Sequence, residues 1–294
     1  MSAAPWSLPI ERLGPMLRDG RLDPVALLEA YAERIVRHDG RLGGYVALND
    51  GARAAAEAAW AELRAGRDRG PLHGMPVAVK DNYTTADMPT RAGSADMAFP
   101  RADAPSVARL RAAGAVLIGK TRMHQFAWGM ETPPARNPWD ETRTPGGSSG
   151  GSGVAMAAAL AAAALGTDTG GSIRIPAALC GCVGYKPTFG LIGRGGIVPH
   201  SWSLDTAGPL ASSVRDAAWV AAAMAGPDPS DPACAGVGLA IDAATLEAGV
   251  GGLTVGVCRN HFFDGLAPDV AAAVEARIAA LAGAGARIVE FEVP

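Results

Sequence analysis

The sequence predicts an α/β fold in which parallel strands are covered by helices. Twice, a helical stretch that begins at a proline runs through a glycine turn into a short apolar run, first over 105–118 and again over 268–293. Helix, turn and strand repeated in this order are typical of parallel pairings in a helix-covered sheet. The length of 294 residues allows one large or two small domains, and the repeated pattern favours one.

Residues 1–70 are predicted to form a helical N-terminal region. Asp23 and Pro24 begin a helix in which apolar residues recur at helical spacing, and an alanine-rich helix follows at about 52–67. Met75 to Val79 is a short apolar run next to a glycine. Such a run predicts a buried strand.

The next predicted elements alternate in the same way. A helix begins at Pro105, ends at Gly114 and leads into a strand at 115–118. Further on, Ser213 and Asp216 form a helix-capping pattern that predicts the start of another helix.

The last predicted strand has two different faces. A helix runs from Pro268 to Gly283, and in the strand at 286–293 three apolar residues alternate with Glu290 and Glu292. An uncovered apolar face of this kind pairs with other chains unless something blocks it. The chain by itself is therefore expected to self-associate or to bind a hydrophobic dye.

Composition and charge exclude several classes of partner. The chain has 26 basic and 29 acidic residues, a net charge of −3 and no basic block, so neither nucleic acid nor an anionic membrane is expected to bind. Its longest apolar run, 154–165, is shorter than the about 20 residues that cross a bilayer, and its first residues lack a signal-peptide pattern. A soluble, cytoplasmic protein is predicted. Four cysteines are too few for a disulfide framework and are expected to be buried thiols in a reducing compartment: Cys180, Cys182, Cys234 and Cys258.

Two familiar motifs match poorly. The segment Gly114–Thr121 fits a phosphate-binding loop, but its middle is an apolar strand and a helix precedes it. Ser149 fits the nucleophile-elbow pattern, but a polar loop precedes it where a buried strand is required. A Ser-His-Asp hydrolase would also need a well-placed histidine. The five histidines are scattered and are expected to be surface or capping groups: His38, His73, His124, His200 and His261.

Lysine usage points to one position. Lys80, Lys120 and Lys186 are the only lysines among 26 basic residues. Arginine stays protonated, whereas a desolvated lysine can lose its proton and act as a base. Lys80 ends the predicted strand, where sites form in parallel sheets, so we expect a base there. Lys120 and Lys186 are expected to be structural.

The segment 145–188 is unusually rich in glycine and serine. It reads PGGSSGGSGVAMAAALAAAALGTDTGGSIRIPAALCGCVGYKPT, with two glycine-rich turns flanking a predicted helix of small residues. One interpretation is a close-packed helix with tight caps. The other is that backbone amides in the turns face a ligand or a developing anion.

Three strings carry a family resemblance. GMPVAVKDN begins at Gly74, RNPWD is followed four residues later by PGGSSGGS, and GTDTGGSIRIPAALCGCVGYKPT completes the set. In this order and at these distances they closely resemble the amidase signature family of serine hydrolases, over about residues 20–226. The resemblance implies a mixed β-sheet core sandwiched by helices.

The resemblance also implies catalytic roles. By position, Ser172 resembles the nucleophile, Ser148 the bridging serine and Lys80 the base, with Ser149 just behind them. The oxyanion hole is implied to consist of the amides of Thr169, Gly170, Gly171 and Ser172.

Further features follow from the same resemblance. Asp168 and Arg174 resemble a buried pair that braces the loop, and the Gly147–Ser148 peptide is implied to be cis. No metal or organic cofactor is implied. The expected partner is a small-molecule amide, and a homodimer is possible. The segment 122–128, taken as a helix, and the loop 130–135 are the best remaining indications of the pocket wall.

The resemblance divides the chain into regions of one amidase signature domain, 1–294. Residues 1–70 are the helical region, 71–226 the catalytic core and 227–294 the start of a C-terminal half. Family members usually continue further, so the domain is expected to be incomplete at its C-terminus, without much of the acyl pocket, and to hydrolyse amides poorly by itself.

The functional prediction is hydrolysis of a carboxamide to acid and amine or ammonia through a serine acyl-enzyme. One alternative is the similar component of a tRNA-dependent amidotransferase, which hydrolyses glutamine with partner chains. The sequence His124 to Ala135 departs from that component. Two others are a nucleotide-binding module at 114–121 and a noncatalytic chain that keeps the three residues but lacks a pocket.

Overall fold

A six-stranded mixed sheet lies at the centre of the larger of two units, residues 1–240 and 241–294, into which the chain divides. The computed structural model describes residues 4–240 and 243–294. The helices are α1 (Ile10–Arg18), α2 (Pro24–Leu42), α3 (Ala52–Arg64), α4 (Pro105–Ala112), α5 (Gly150–Ala157), α6 (Arg174–Cys180), α7 (Val214–Met224), α8 (Ala243–Leu246) and α9 (Pro268–Gly283). The strands are β1 (Tyr45–Leu48), β2 (Pro76–Lys80), β3 (Val116–Thr121), β4 (Ala163–Asp168), β5 (Val183–Gly184), β6 (Thr206–Ala211), β7 (Thr254–Cys258) and β8 (Arg287–Phe291).

The order of the strands brings the ends of several strands to one edge of the sheet. The order is β1-β3-β2-β4-β6-β5, with β2 parallel to both β3 and β4. β6 runs antiparallel to β4, so that Thr206 pairs with Asp168. Lys80, Asp168 and the residue before Thr206 therefore meet at the carboxyl edge of the parallel strands, where ligand sites form in such sheets.

The predicted fold class is confirmed. The central sheet is mixed, and helices including α2, α3, α5 and α7 pack against its strands. The core is a continuous apolar cluster built from these helices and strands. The division into 1–70, 71–226 and 227–294 within one domain stays a prediction.

Helix starts agree with the sequence patterns. The Asp23 carboxylate accepts a hydrogen bond from the Ala26 amide at 2.8 Å and caps α2. The Ser213 hydroxyl caps α7 by accepting from the Asp216 amide at 3.1 Å. Both helices begin where a short polar side chain satisfies a free amide.

Asp216 also connects α7 to the N-terminal helix. Its buried carboxylate accepts hydrogen bonds from the amides of Ile10 and Glu11 at the start of α1, at 3.0 and 3.2 Å, and from the Ser212 hydroxyl at 3.1 Å. The Asp216 side chain therefore caps α1 from a position in the first turn of α7.

Replacement of Asp216 by alanine is expected to lower the free energy of unfolding by about 2–3 kcal/mol, because two helix-terminal amides lose a charged acceptor. Urea unfolding followed by circular dichroism would measure the loss. Ser213→Ala, which removes only one neutral cap, should cost about 1 kcal/mol. Equal stability of wild type and Asp216→Ala would contradict this role.

Two sequence predictions about local structure are wrong. The predicted helix at 122–128 is only a three-residue 3-10 turn, Gln125–Ala127, because Phe126 and Ala127 adopt left-handed φ values of 49° and 60°. The predicted helix of small residues ends at Ala157, and the rest of the apolar run forms β4 at the sheet centre. Alanine favours helices intrinsically, but burial between strands overrides that preference.

The nucleotide-binding alternative is also wrong. The lysine and threonine of its motif belong to β3, and Lys120 is fully buried. Its ammonium lies 3.2 Å from the Asp81 carboxylate and donates to Thr90 Oγ1 at 2.7 Å and to the Tyr83 carbonyl at 2.8 Å. A phosphate loop requires an open turn, so Lys120 is structural, as predicted.

Predictions for some histidine and cysteine side chains need correction. His73, which is predicted to lie at the surface or at a cap, is buried. It packs against Gly114 so closely that a Cβ added at Gly114 would lie 2.4 Å from the imidazole. All four cysteines are free thiols, but only Cys180 is buried, and the other three are partly exposed.

The C-terminal unit has a parallel pair, β7 and β8, and the helix α9. Within residues 243–294, β8 pairs only with β7, and Val289 and Phe291 are exposed. No helix in residues 4–240 or 243–294 is long and apolar enough to cross a membrane.

Candidate active site

Lys80 is the last residue of β2, and its side chain is fully buried. Its Nζ lies 2.8 Å from Ser148 Oγ, 2.7 Å from Thr167 Oγ1 and 3.4 Å from the Thr167 carbonyl oxygen. Because β4 is the neighbour of β2 in the sheet, the end of β4 brings Thr167 beside this ammonium. The sequence-predicted base and bridging serine are thus in direct contact.

The three oxygen neighbours of the Lys80 nitrogen suit both of its protonation states. A charged ammonium has three donors and no acceptor, whereas a neutral amine has two donors and one lone pair. Thr167 offers two acceptors, its hydroxyl and its carbonyl oxygen, and the third neighbour is the Ser148 hydroxyl. A charged Lys80 can donate to all three oxygens, whereas a neutral Lys80 can donate to the two Thr167 oxygens and accept the proton of the Ser148 hydroxyl.

Burial produces the required change in basicity. It lowers the pKa of Lys80 to about 7, against the smaller opposing effects of the Asp205 and Asp168 carboxylates. Near neutral pH a large fraction of Lys80 is therefore uncharged. An arginine at this position would stay protonated.

The serine-rich turn has no room for larger side chains. Gly147 precedes Ser148 through a cis peptide, as the resemblance implied. A Cβ at Gly147 would lie 2.4 Å from the Glu131 carbonyl oxygen. Ser149 is buried behind Ser148 and donates a hydrogen bond from its hydroxyl to the Thr167 carbonyl at 3.2 Å.

Ser172 adjoins this pair without joining its side-chain hydrogen bonds. The Ser149 amide donates to the Ser172 carbonyl at 3.2 Å, which brings the two loops together. Within the described residues, the Ser172 hydroxyl makes no hydrogen bond, and the chain that starts at Lys80 ends at Ser148. Ser172 is 8% exposed, so its hydroxyl is the one at the edge of the site.

Asp168 braces the loop that carries Ser172. Its carboxylate accepts from the Gly171 amide at 2.8 Å, from the Ile173 amide at 3.0 Å and from the Arg174 guanidinium at 2.9 and 3.0 Å. Burial favours the neutral acid, but these hydrogen bonds outweigh it and lower the pKa of Asp168. The predicted pairing of Asp168 with Arg174 is present, but the pair is not buried as predicted, because the Arg174 side chain is 54% exposed and only Asp168 is buried.

The oxyanion-hole prediction needs one correction. The Gly171 amide donates to Asp168 and is not available to an anion. Gly171 has a φ of 131°, a value that glycine adopts far more readily than other residues, and its amide points toward Asp168. The amides of Thr169, Gly170 and Ser172 remain as candidate donors.

Sequence reasoning missed three buried residues around Lys80. Thr167 stands in the quoted string GTDTGG, and Asn82 stands in GMPVAVKDN and donates to Thr167 Oγ1 at 3.1 Å. Asp205 precedes β6, a strand that sequence analysis did not predict. Membership in the strings could have indicated the first two, but no local signal distinguishes Asp205.

A cavity of about 450 Å³ is lined by neighbours of the candidate catalytic residues and not by Lys80, Ser148 or Ser172 themselves. Asp81 and His124 line it, and each adjoins a proposed catalytic residue, Asp81 along the chain and His124 through its amide, which donates to the Ser148 carbonyl. Arg122, Gln125 and Pro133 also line it, so parts of the two predicted wall segments do border a cavity. Among the described residues, no three histidine, cysteine or acidic side chains cluster as metal ligands would.

Fold and site together define an α/β protein with a buried lysine-serine pair beside a glycine-rich loop, an arrangement that some hydrolases use to activate serine. The family model described as Amidase matches residues 26–294. The chain therefore belongs to the amidase signature family.

Individual relatives agree with this assignment. The chain is 48% identical over 276 residues to a component of the glutamyl-tRNA(Gln) amidotransferase from Anaeromyxobacter sp. (strain K), covering 91% of this chain and 56% of the relative. It is 46% identical over 290 residues to an amidase from Pseudomonas putida, covering 98% and 62%. The solved peptide amidase from Stenotrophomonas maltophilia superposes with a TM-score of 0.88 at 40% identity, covering 97% of this chain and 62% of that one. The chain thus spans less than two thirds of the length of each.

Proposed function

We propose that this chain hydrolyses a linear carboxamide to a carboxylic acid and ammonia or an amine through a serine acyl-enzyme. The observation that carries the proposal is the contact of buried Lys80 with Ser148 Oγ at 2.8 Å. Burial of a charge is costly, and a lysine with a pKa of about 7 beside a serine matches a catalytic base.

The proposed reaction starts with two proton transfers. Neutral Lys80 takes the Ser148 proton while Ser148 takes the proton of Ser172, and Ser172 Oγ forms a bond to the amide carbon. Negative charge that develops on the carbonyl oxygen is stabilised by the amides of Thr169 and Gly170, with the Ser172 amide as a third donor.

The second half of the reaction reverses the proton path. The carbon-nitrogen bond breaks as the proton returns from Lys80 through Ser148 to the departing nitrogen. Water then attacks the acyl-enzyme carbonyl and gives a proton to Lys80 by the same path. The acid leaves as Ser172 Oγ regains that proton through Ser148, which restores neutral Lys80. No added cofactor takes part in this proposal.

We propose a small-molecule amide as the binding partner. For the chain itself we propose a cytoplasmic location and, as one possible assembly, a homodimer. The small net charge of −3 supports a partner other than nucleic acid. Free thiols in the described cysteines support a reducing compartment.

A second candidate function is glutamine hydrolysis within a tRNA-dependent amidotransferase. It is supported by a relative with that name at 48% identity, slightly above the 46% of the Pseudomonas putida amidase. Such a component would depend on partner chains, whereas an amidase would act by itself.

Ammonia release from a panel of amides separates the two functions. The panel contains acetamide, benzamide, a peptide amide and L-glutamine, each tested with the 294-residue chain and with Lys80→Arg as the inactive control. We expect at least one non-glutamine amide to be hydrolysed about 10-fold faster than glutamine, a difference that pocket contacts readily produce. Hydrolysis of glutamine only, or only after amidotransferase partners are added, would favour the second function instead.

A further inference from the structure

Asp205 is a buried carboxylate at the same sheet edge as Lys80. It lies directly before β6, whose first residue pairs with Asp168. Its Oδ1 accepts a hydrogen bond from the Thr169 hydroxyl at 2.5 Å, and its Oδ2 accepts from the amides of His200 and Ser201 at 2.7 and 2.9 Å. Asp205 therefore joins the 200–205 segment to the loop that carries the candidate oxyanion amides.

We propose that Asp205 is a positioning residue for the amidase reaction, which holds the Thr169 end of the oxyanion loop in place and carries a negative charge at the same sheet edge as Lys80. The inference rests on the proposed function and assigns Asp205 no contact with substrate.

Carboxylates hold both ends of the loop that carries the candidate oxyanion amides. Its far end is held by Asp168 through the amides of Gly171, Ile173 and Arg174. At the near end, within the described residues, the side-chain hydrogen bond from Thr169 goes to Asp205. Gly170 between them is exposed, and a Cβ there would meet nothing within 4 Å. Beyond the end of β4, the Asp205 contact is thus the side-chain restraint on the Thr169 end of this loop.

The negative charge of Asp205 also acts on Lys80. Two acidic groups act on Lys80, Asp205 and Asp168, and both favour its charged form. Asp168 is paired with Arg174 at 2.9 Å. In residues 4–240 and 243–294, no basic nitrogen lies within 4 Å of the Asp205 carboxylate, although the more distant Arg194 feels its charge. The negative charge of Asp205 is therefore less compensated than that of Asp168.

Loss of that charge has a predictable sign. An acidic neighbour stabilises protonated Lys80, so its removal should move the pKa of Lys80 further below about 7. A residue that only fills space in the core would not move this titration. The charge and the loop contact can also be separated, because Thr169→Val removes the hydroxyl and leaves the charge.

Lysine NMR can measure the charge effect without any turnover. The chain has only three lysines, Lys80, Lys120 and Lys186, so lysine labelled with 13C at the ε carbon gives three signals, and Lys186→Arg helps to assign them. We expect Asp205→Asn to shift the Lys80 titration to lower pH by about 0.5 unit or more. The matched control is Asp228→Asn, another buried carboxylate that accepts backbone amides, from Gly195 and Ser230, and it should leave the titration unchanged.

Kinetics measure the loop effect. With the best amide of the panel, Asp205→Asn and Thr169→Val should each lower kcat about 10-fold or more with little change in KM, because a displaced donor weakens transition-state binding. The rising limb of the pH-rate profile should move to lower pH only for Asp205→Asn. The double variant should be little worse than Asp205→Asn if Asp205 acts through Thr169.

The outcomes separate this inference from the proposed function. An unchanged Lys80 titration in Asp205→Asn, or a full kcat in either single variant, overturns the positioning role. If wild type hydrolyses none of the amides, the proposed function fails. The lysine titration still decides whether the charge of Asp205 acts on Lys80. If Asp205→Asn does not fold, Thr169→Val decides: a kcat near wild type contradicts the inference, and a selective loss of kcat supports it.

Discussion

Lys80→Arg is expected to be as inactive as Lys80→Ala, with kcat lower than wild type by at least about 10³-fold. Arginine keeps the positive charge but cannot give up its proton, so it cannot accept one from Ser148. The wild-type rate should rise with pH through about 7, the pKa of buried Lys80, and then level off. Below that pH the ammonium is protonated and has no lone pair for the Ser148 hydroxyl.

Lys186→Arg is the matched control for this substitution. Lys186 is partly exposed and donates to the Pro187 carbonyl at 2.8 Å, a contact that arginine can also make. It should keep the wild-type rate and the same pH dependence. Substantial activity in Lys80→Arg, with folding verified by thermal unfolding, would show that Lys80 is not the base.

Ser172→Ala is expected to abolish hydrolysis, by at least about 10³-fold, with almost no change in the free energy of unfolding. The Ser172 hydroxyl makes no hydrogen bond within the described residues, so its removal leaves no buried partner unsatisfied. Hydrolysis of the best panel amide and urea unfolding would be measured on the same preparation.

Ser149→Ala should give the opposite pattern. The Ser149 hydroxyl is buried and donates to the Thr167 carbonyl at 3.2 Å, so its loss should cost about 1 kcal/mol of stability and reduce the rate much less. If Ser149→Ala abolished hydrolysis and Ser172→Ala retained it, the nucleophile would be assigned to the wrong serine.

Much of the fold could be predicted because its elements carry local signals. The strand before Lys80 is a bounded apolar run, and Asp23 and Ser213 cap helices by short-range hydrogen bonds. β4 could not be predicted, since alanine-rich sequence has no period that separates strand from helix. Its place at the sheet centre is decided by neighbours that are distant in sequence.

The proposed catalytic residues of the candidate site could be predicted from the sequence, but the backbone and long-range contacts around them could not. The strings indicated Lys80, Ser148 and Ser172 together, and the structure brings the first two into contact. The Gly171 amide donates to Asp168 in a loop where Gly171 has a φ of 131°, and no residue pattern gives either feature directly. The role of Asp205 depends on β6 lying beside β4, a pairing over long sequence distance.

The central claim is that neutral Lys80 activates Ser172 through Ser148, and labelling with a fluorophosphonate tests it most directly. The intact chain is treated with the label at a series of pH values from about 5 to about 9, which brackets the Lys80 pKa, and the adduct is located by peptide mass spectrometry. The account predicts one adduct, on Ser172, at a rate that rises with pH through about 7 and is lost in Lys80→Arg. An adduct on Ser148 or Ser149, or none on a folded chain, would contradict it.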